Sequence, residues 1–232
     1  MKTIGIIGGT GPESTIEYYK RIIAAYRERA ADGSYPSILI NSINAAPLIE
    51  FVLARKLDNV TELLVREIDR LAKAGADFGL IAANTPHVVF DAVSARSPIP
   101  LISIVEATAN AAAARGVKRL ALFGTRLTME SAFYPETCAR QQLTIVVPKD
   151  EERKFIHDVY MGELFHGVVR AETRDSLVAI AAKMKERDGI DGLILGGTEL
   201  SLILTEPTYA GLPVLDTTQI HVDAIVAMAL TS

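Results

Sequence analysis

Gly75-Ala76-Asp77-Phe78-Gly79-Leu80-Ile81-Ala82-Ala83-Asn84-Thr85 returns 114 positions later as Gly189-Ile190-Asp191-Gly192-Leu193-Ile194-Leu195-Gly196-Gly197-Thr198-Glu199. Each copy reads as a glycine that stops a helix, an aspartate, a short apolar run and a polar loop. Two further blocks repeat in the same order. Lys2 to Gly8 matches Lys118 to Gly124 at an offset of 116, and Ile99-Pro100-Leu101 matches Leu212-Pro213-Val214 at 113. Apolar strands followed by glycine occur in any α/β chain, but three ordered blocks at a nearly constant offset point to two similar halves.

Around these blocks, short apolar runs alternate with helical stretches, the pattern of a parallel sheet wrapped by helices. Strands are expected near 3–7, 37–42, 78–82, 100–104, 119–123, 143–147, 192–195 and 213–215. Helices are expected over Pro12 to Ala31, Val60 to Ala74, Glu106 to Arg115, Glu151 to Phe165, Thr173 to Arg187 and Thr218 to Leu230. In the second of these, Leu64, Ile68 and Leu71 follow helical spacing, Asn59 suits the cap and Gly75 the stop. The fold class is α/β, as two pseudo-symmetric doubly wound lobes, each with a four-stranded parallel sheet. The first lobe takes residues 1–98 plus 208–232 and the second 99–207, with the last helix returning to the first lobe. In a duplicated α/β chain the strand carboxyl ends of the two halves can face one another, so the site is expected between the lobes.

The chain has 232 residues, 49% hydrophobic and 22% charged, which is globular and neither disordered nor membrane-spanning in composition. Its formal charge of −4 provides no basic footprint for nucleic acid. No apolar run approaches the roughly 18 residues of a membrane span, and the apolar start Ile4–Ile7 runs into Gly8 and Gly9 without a cleavage signal. A cytoplasmic setting, with no nucleic acid and no membrane partner, is therefore expected. The lone Cys138 forms neither an internal disulfide nor a thiolate metal centre by itself, so no metal site is expected.

Candidate binding groups lie in the loops after strands. Gly8-Gly9-Thr10-Gly11-Pro12 opens a helix, so it suits a carboxylate or phosphate, although a plain tight βα turn needs the same glycines. Ser14 breaks the dinucleotide spacing and no Gly-Lys-Ser/Thr follows, which excludes both common nucleotide loops. Gly124-Thr125-Arg126-Leu127-Thr128 adds hydroxyls and one cation, either a carboxylate partner or a solvated arginine. Asn84, Thr85, Thr198 and Glu199 supply an amide, hydroxyls and a carboxylate suited to a small polar acid. His87 is a candidate base or a capping or core histidine, and Glu199 a candidate acid or base or an acceptor of loop amides.

At these residues the chain resembles the aspartate/glutamate racemase family of cofactor-independent enzymes. The resemblance runs over essentially the full length: Lys2 to Gly9, Glu13-Ser14-Thr15, Gly75-Ala76-Asp77, Asn84-Thr85-Pro86-His87, Gly124-Thr125-Arg126 with Thr128-Met129, Thr198-Glu199, and Pro213-Val214-Leu215-Asp216-Thr217-Thr218. The Gly-Thr-Arg-x-Thr-Met string looks most like the L-aspartate/glutamate-specific branch. The resemblance implies two doubly wound lobes, an active site between them, no cofactor, and commonly a homodimer; from their amides and hydroxyls, Thr10, Asn84, Thr85, Thr125, Thr198 and Glu199 are expected to hold a small carboxylate or amino-acid ligand there.

It also implies two acid/base residues, one on each side of the substrate α-carbon, so that one takes a proton while the other returns one. They stand just before Asn-Thr and just before Thr-Glu, usually as cysteines, with threonine at the first position in the L-specific branch. Here those positions are Ala83 and Gly197, and neither side chain carries a proton. Three readings follow. The chemistry has moved to other groups, with His87 and Glu199 the nearest substitutes; the protein is a non-catalytic carboxylate binder; or the chain has been mutated at its catalytic positions.

Overall fold

The computed structural model describes residues 2–30 and 32–231. Residues 1, 31 and 232 lie outside them, and with them the expected helix end at Ala31. The chain divides into two compact units, one of the residues through Ile104 together with those from His221 onward, the other of Val105–Ile220.

The first unit is built on a parallel sheet in the order β2-β1-β3-β4, formed by β1 (Ile4–Gly8), β2 (Ile38–Ser42), β3 (Phe78–Ile81) and β4 (Leu101–Ile102). Period-two alternation sends Ile4, Ile6, Phe78 and Leu80 to one face and Ile7 and Ile81 to the other. Both faces are covered, which is why these strands read as unbroken apolar runs. The first face carries α1 (Pro12–Arg29) and the later turns of α11 (Thr217–Ala229), whose Val222, Ile225, Val226 and Ala229 recur at helical spacing. The second face carries α2 (Ala45–Leu53), α3 (Leu57–Lys73) and α4 (Phe90–Arg96), with Leu64, Ile68 and Leu71 buried as their spacing predicts.

The second unit begins at α5 (Ile104–Ala114) and holds β5 (Arg119–Gly124), α6 (Arg126–Glu130), α7 (Phe133–Ala139), β6 (Thr144–Val146), α8 (Asp150–Gly162), α9 (Ala171–Asp188), β7 (Gly192–Gly196), α10 (Leu200–Ile203), β8 (Thr208–Tyr209) and β9 (Leu212–Asp216). Its sheet runs β6-β5-β7-β9-β8. Four strands are parallel, and β8 adds a fifth, antiparallel, at the edge. That strand escapes the periodic reading because it is a two-residue hairpin arm. Ala210 and Gly211 both take left-handed backbone, φ 50° and 66°, the geometry of a tight hairpin turn.

The repeated block does the same work twice. Gly75 (φ 97°) and Gly189 (φ 66°) lie just past the ends of α3 and α9 in conformations that disfavour a side chain. Asp77 accepts the Thr3 amide at 2.6 Å ahead of β1, and Asp191 accepts the Arg119 amide at 2.8 Å at the start of β5. The aspartate is thus the fixed partner of each unit's first strand.

The unit boundaries differ from the expected 98/99 and 207/208. β4 pairs with β3 (Leu80 opposite Ile102), so it belongs to the first sheet; β9 pairs with β7 (Ile194 opposite Leu215), so it belongs to the second. Backbone ladders hold those strands, and the chain changes unit only at the starts of α5 and α11. Asn59 is not the cap of α3, which starts at Leu57 after Lys56. The six expected helices are all present, α8 ending in a separate 3-10 turn, Leu164–His166. The helices not expected, α2, α4, α6, α7 and α10, have nine residues or fewer. Among the described residues no helix is long and apolar enough to cross a membrane.

Candidate functional site

In the first unit the chain leaves β1 for β2 on one side and returns to β3 on the other, so the loops after β1 and β3 part at a topological switch point. Thr10 follows β1; Ala83, Asn84 and Thr85 follow β3. Ser14, in the first turn of α1, ties the two loops by donating to the Ala82 carbonyl at 2.9 Å. Gly9 turns the chain at φ 80°, and its amide is already spent on the Thr15 hydroxyl at 2.8 Å. The Thr10 hydroxyl oxygen has no partner among the described residues.

His87 is pinned at both nitrogens. Nδ1 donates to the Ala83 carbonyl at 2.8 Å, which leaves Nε2 to accept the Ile104 amide at 3.3 Å, while the ring stacks on Phe90. Burial pulls its pKa down to about 4. This neutral imidazole connects the Ala83 loop to the start of α5, and no lone pair is left over to accept a substrate proton. A second buried histidine, His221, accepts from the Tyr18 hydroxyl at Nδ1 (2.8 Å) and donates from Nε2 to the Ile102 carbonyl (3.0 Å). Burial first, and His87 nearby, lower its pKa to about 3.

The second unit repeats the switch point between β5 and β7. Thr125 caps α6, its hydroxyl accepting the Thr128 amide at 3.3 Å. The exposed Arg126 gives its backbone N–H to His157. Beyond β7, Thr198 donates its hydroxyl to the Glu199 carboxylate at 2.8 Å, and Thr217, opening α11, donates to the Leu195 carbonyl at 2.7 Å.

Gly197 has an unexpected neighbour. Tyr160 of α8 hydrogen-bonds through its hydroxyl to the same Glu199 oxygen, and its ring lies over Gly197. A Cβ on residue 197 would overlap the ring edge and come within 2.9 Å of the phenol oxygen. Residue 197 has no positive φ, so the obstacle to a side chain is Tyr160 and not the backbone. Burial, then the charge of Glu199, hold the phenol pKa well above 10. Cys138 lies buried in α7 with its pKa pushed up to about 12 by burial, the behaviour of an inert apolar thiol.

Each unit thus gathers its own sequence-selected residues at its own switch point: Thr10, Asn84 and Thr85 in the first, Thr125, Thr198 and Glu199 in the second. Tyr160, Ser14 and Thr217 were not anticipated. Ser14 and Thr217 stand in quoted motifs, whereas Tyr160 carries no local signal. A cavity of about 720 Å3 opens elsewhere in the first unit, against Asn41, Asn44, Glu62, Arg66, Glu67 and Arg70, and none of the expected residues lines it.

Two α/β units of matching strand order, each with polar loops at its switch point and none of the fingerprints of nucleotide binding, define a duplicated α/β fold. The chain belongs to the Asp/Glu/Hydantoin racemase family, whose model matches residues 7–225. It is similar to an aspartate racemase homologue from Pyrococcus horikoshii, at 36% identity over 100% of both chains with a TM-score of 0.87. A Yersinia pestis protein solved as a candidate Asp/Glu racemase is 31% identical over 100% of both chains, with a TM-score of 0.90. The broad specificity amino-acid racemase RacX of Bacillus subtilis is 28% identical over 136 residues, 56% of this chain. The match spans 58% of that relative's length. The family resemblance read from the sequence is borne out.

Proposed function

We propose that this protein binds a small amino acid or dicarboxylate at its polar strand-end loops, and that it does not perform ordinary two-thiol racemisation. The observation that carries this reading is the pairing, in each unit, of polar switch-point loops with a strand end that lacks a proton-bearing side chain, Ala83 in one and Gly197 in the other. Amides at loop and helix starts, with the hydroxyls of Thr10, Thr85 and Thr125 and the amide of Asn84, suit charge-assisted hydrogen bonds to a carboxylate. Binding of this kind is independent of a thiol. The family membership supports an amino-acid ligand and a racemase ancestry, and a homodimer in the cytoplasm without a cofactor is part of the same proposal.

The test is thermal melting with L- and D-aspartate, L- and D-glutamate and succinate. A ligand at 100 times its Kd stabilises by about 2.7 kcal/mol, a clear rise in melting temperature. No rise with any of the five overturns the reading, and so does rapid interconversion of enantiomers by the protein as it stands.

A further inference from the structure

Glu199 is 4% exposed, and its carboxylate is held by two hydroxyls and no cation among the described residues. Glu67, just as buried, shows the usual solution: Arg66, Arg70 and Asn41 surround it at 3.1, 2.6 and 2.9 Å. A buried carboxylate without a counter-charge is costly. One of the two hydroxyls that hold Glu199 is the Tyr160 phenol, whose oxygen lies within 2.9 Å of where the first side-chain atom of residue 197 would stand. Residue 197 directly follows the end of β7, at the switch point of its unit.

We propose that the Tyr160 hydroxyl, backed by Glu199, is the proton-carrying group at the end of β7, and that it exchanges the hydrogen on the carbon adjacent to the ligand carboxylate. The inference rests on the ligand reading above. In the forward step the α-C–H bond breaks, its electron pair stays on carbon and spreads into the adjoining carboxylate, and the proton goes to the Tyr160 oxygen. Tyr160's own proton passes to Glu199 as the new O–H bond forms. Reversal returns a proton from Tyr160 to the same carbon, and exchange of the Glu199 proton with water replaces it by deuterium in heavy water. In the other unit Ala83 offers only a methyl group and His87 has both nitrogens committed. One carrier returns the proton to the face it left, so the outcome is exchange with retention on one enantiomer.

The experiment follows the α-proton resonance of L- and D-aspartate and L- and D-glutamate in heavy water with the full chain, with melting curves recorded on the same samples. The expected result is exchange of one enantiomer, configuration kept. Tyr160→Phe, which preserves the ring over Gly197, is expected to slow exchange by at least about 100-fold, the usual cost of losing an acid/base group, while the ligand still raises the melting temperature. Glu199→Gln is expected to slow it as well. A melting-temperature rise without exchange in the unaltered protein overturns the proton-carrier role and leaves the ligand reading standing. Exchange undiminished in a folded Tyr160→Phe protein, or inversion as fast as exchange, also overturns it. If none of the four amino acids raises the melting temperature, this inference is overturned, and the ligand reading falls with it only if succinate gives no rise either.

Discussion

The Tyr18 hydroxyl donates to Nδ1 of His221 at 2.8 Å, joining α1 to α11 over the core of the first unit. With His87 it makes a pair of buried, neutral imidazoles whose ring centroids are 6.4 Å apart. Neither is exposed by more than 3%, so charging either one in place is expensive.

That arrangement sets a pH dependence. Both folded pKa values, about 4 and about 3, lie below the ordinary 6.5. The unfolded chain therefore binds more protons as pH falls below 6.5, and stability is lost in that direction, at about 1.4 kcal/mol per pH unit for each histidine. Urea unfolding at pH 7.0 and pH 5.0 is expected to show a clear loss at the lower value, reduced when both residues are changed to Gln. Equal stability at the two pH values would contradict the neutral, buried state.

Changing His87 to Ala is expected to act on the fold. It removes the hydrogen bonds to the Ala83 carbonyl and from the Ile104 amide and leaves a space beside Phe90, together worth about 2–4 kcal/mol. Calorimetry reads this directly. A His87→Ala protein of unchanged melting temperature would sink the positioning role.

Gly197 and Tyr160 are coupled. Gly197→Cys alone forces the ring aside and is expected to cost about 1–3 kcal/mol, whereas adding Tyr160→Ala makes room and recovers much of it. Only with that second change is Ala83→Cys plus Gly197→Cys expected to introduce inversion at the α-carbon. A Gly197→Cys single variant as stable as the parent would show that the ring yields freely.

Thr10→Val separates binding from folding. Its hydroxyl has no partner among the described residues, so removing it is expected to leave the unliganded melting temperature within a degree or two, or to raise it. The shift produced by an amino-acid ligand should shrink. Unchanged ligand shifts would remove Thr10 from the site.

Asp216 is the cap of α11, its Oδ1 accepting the amides of Thr218 at 2.9 Å and Gln219 at 3.2 Å. Asp216→Ala is expected to cost about 1 kcal/mol, and Asp216→Ser less, by denaturant titration. Equal losses for the two would argue against a capping role.

Much of this fold was legible because its signals are local. Eight apolar runs became the eight parallel strands, and the repeated Gly75/Gly189 and Asp77/Asp191 reappear as helix stops and strand anchors. What escaped depends on tertiary meetings. β4 has two residues, so only its ladder to β3 assigns it to the first sheet, and β8 exists because Ala210 adopts a left-handed turn that its side chain does not advertise. The strand-end loops were found from their composition. Tyr160 was not, since nothing in an α8 tyrosine announces that it covers a glycine 37 positions further on.

The way α11 completes the first unit imposes an order of assembly on the ribosome. Residues 105–220 form a continuous stretch that holds its whole sheet, whereas the face of Ile4, Ile6, Phe78 and Leu80 has only α1 over it until Val222, Ile225, Val226 and Ala229 emerge. The half synthesised first must therefore finish last. Throughout translation of the intervening residues part of its apolar sheet face stays open to chaperones or to premature association.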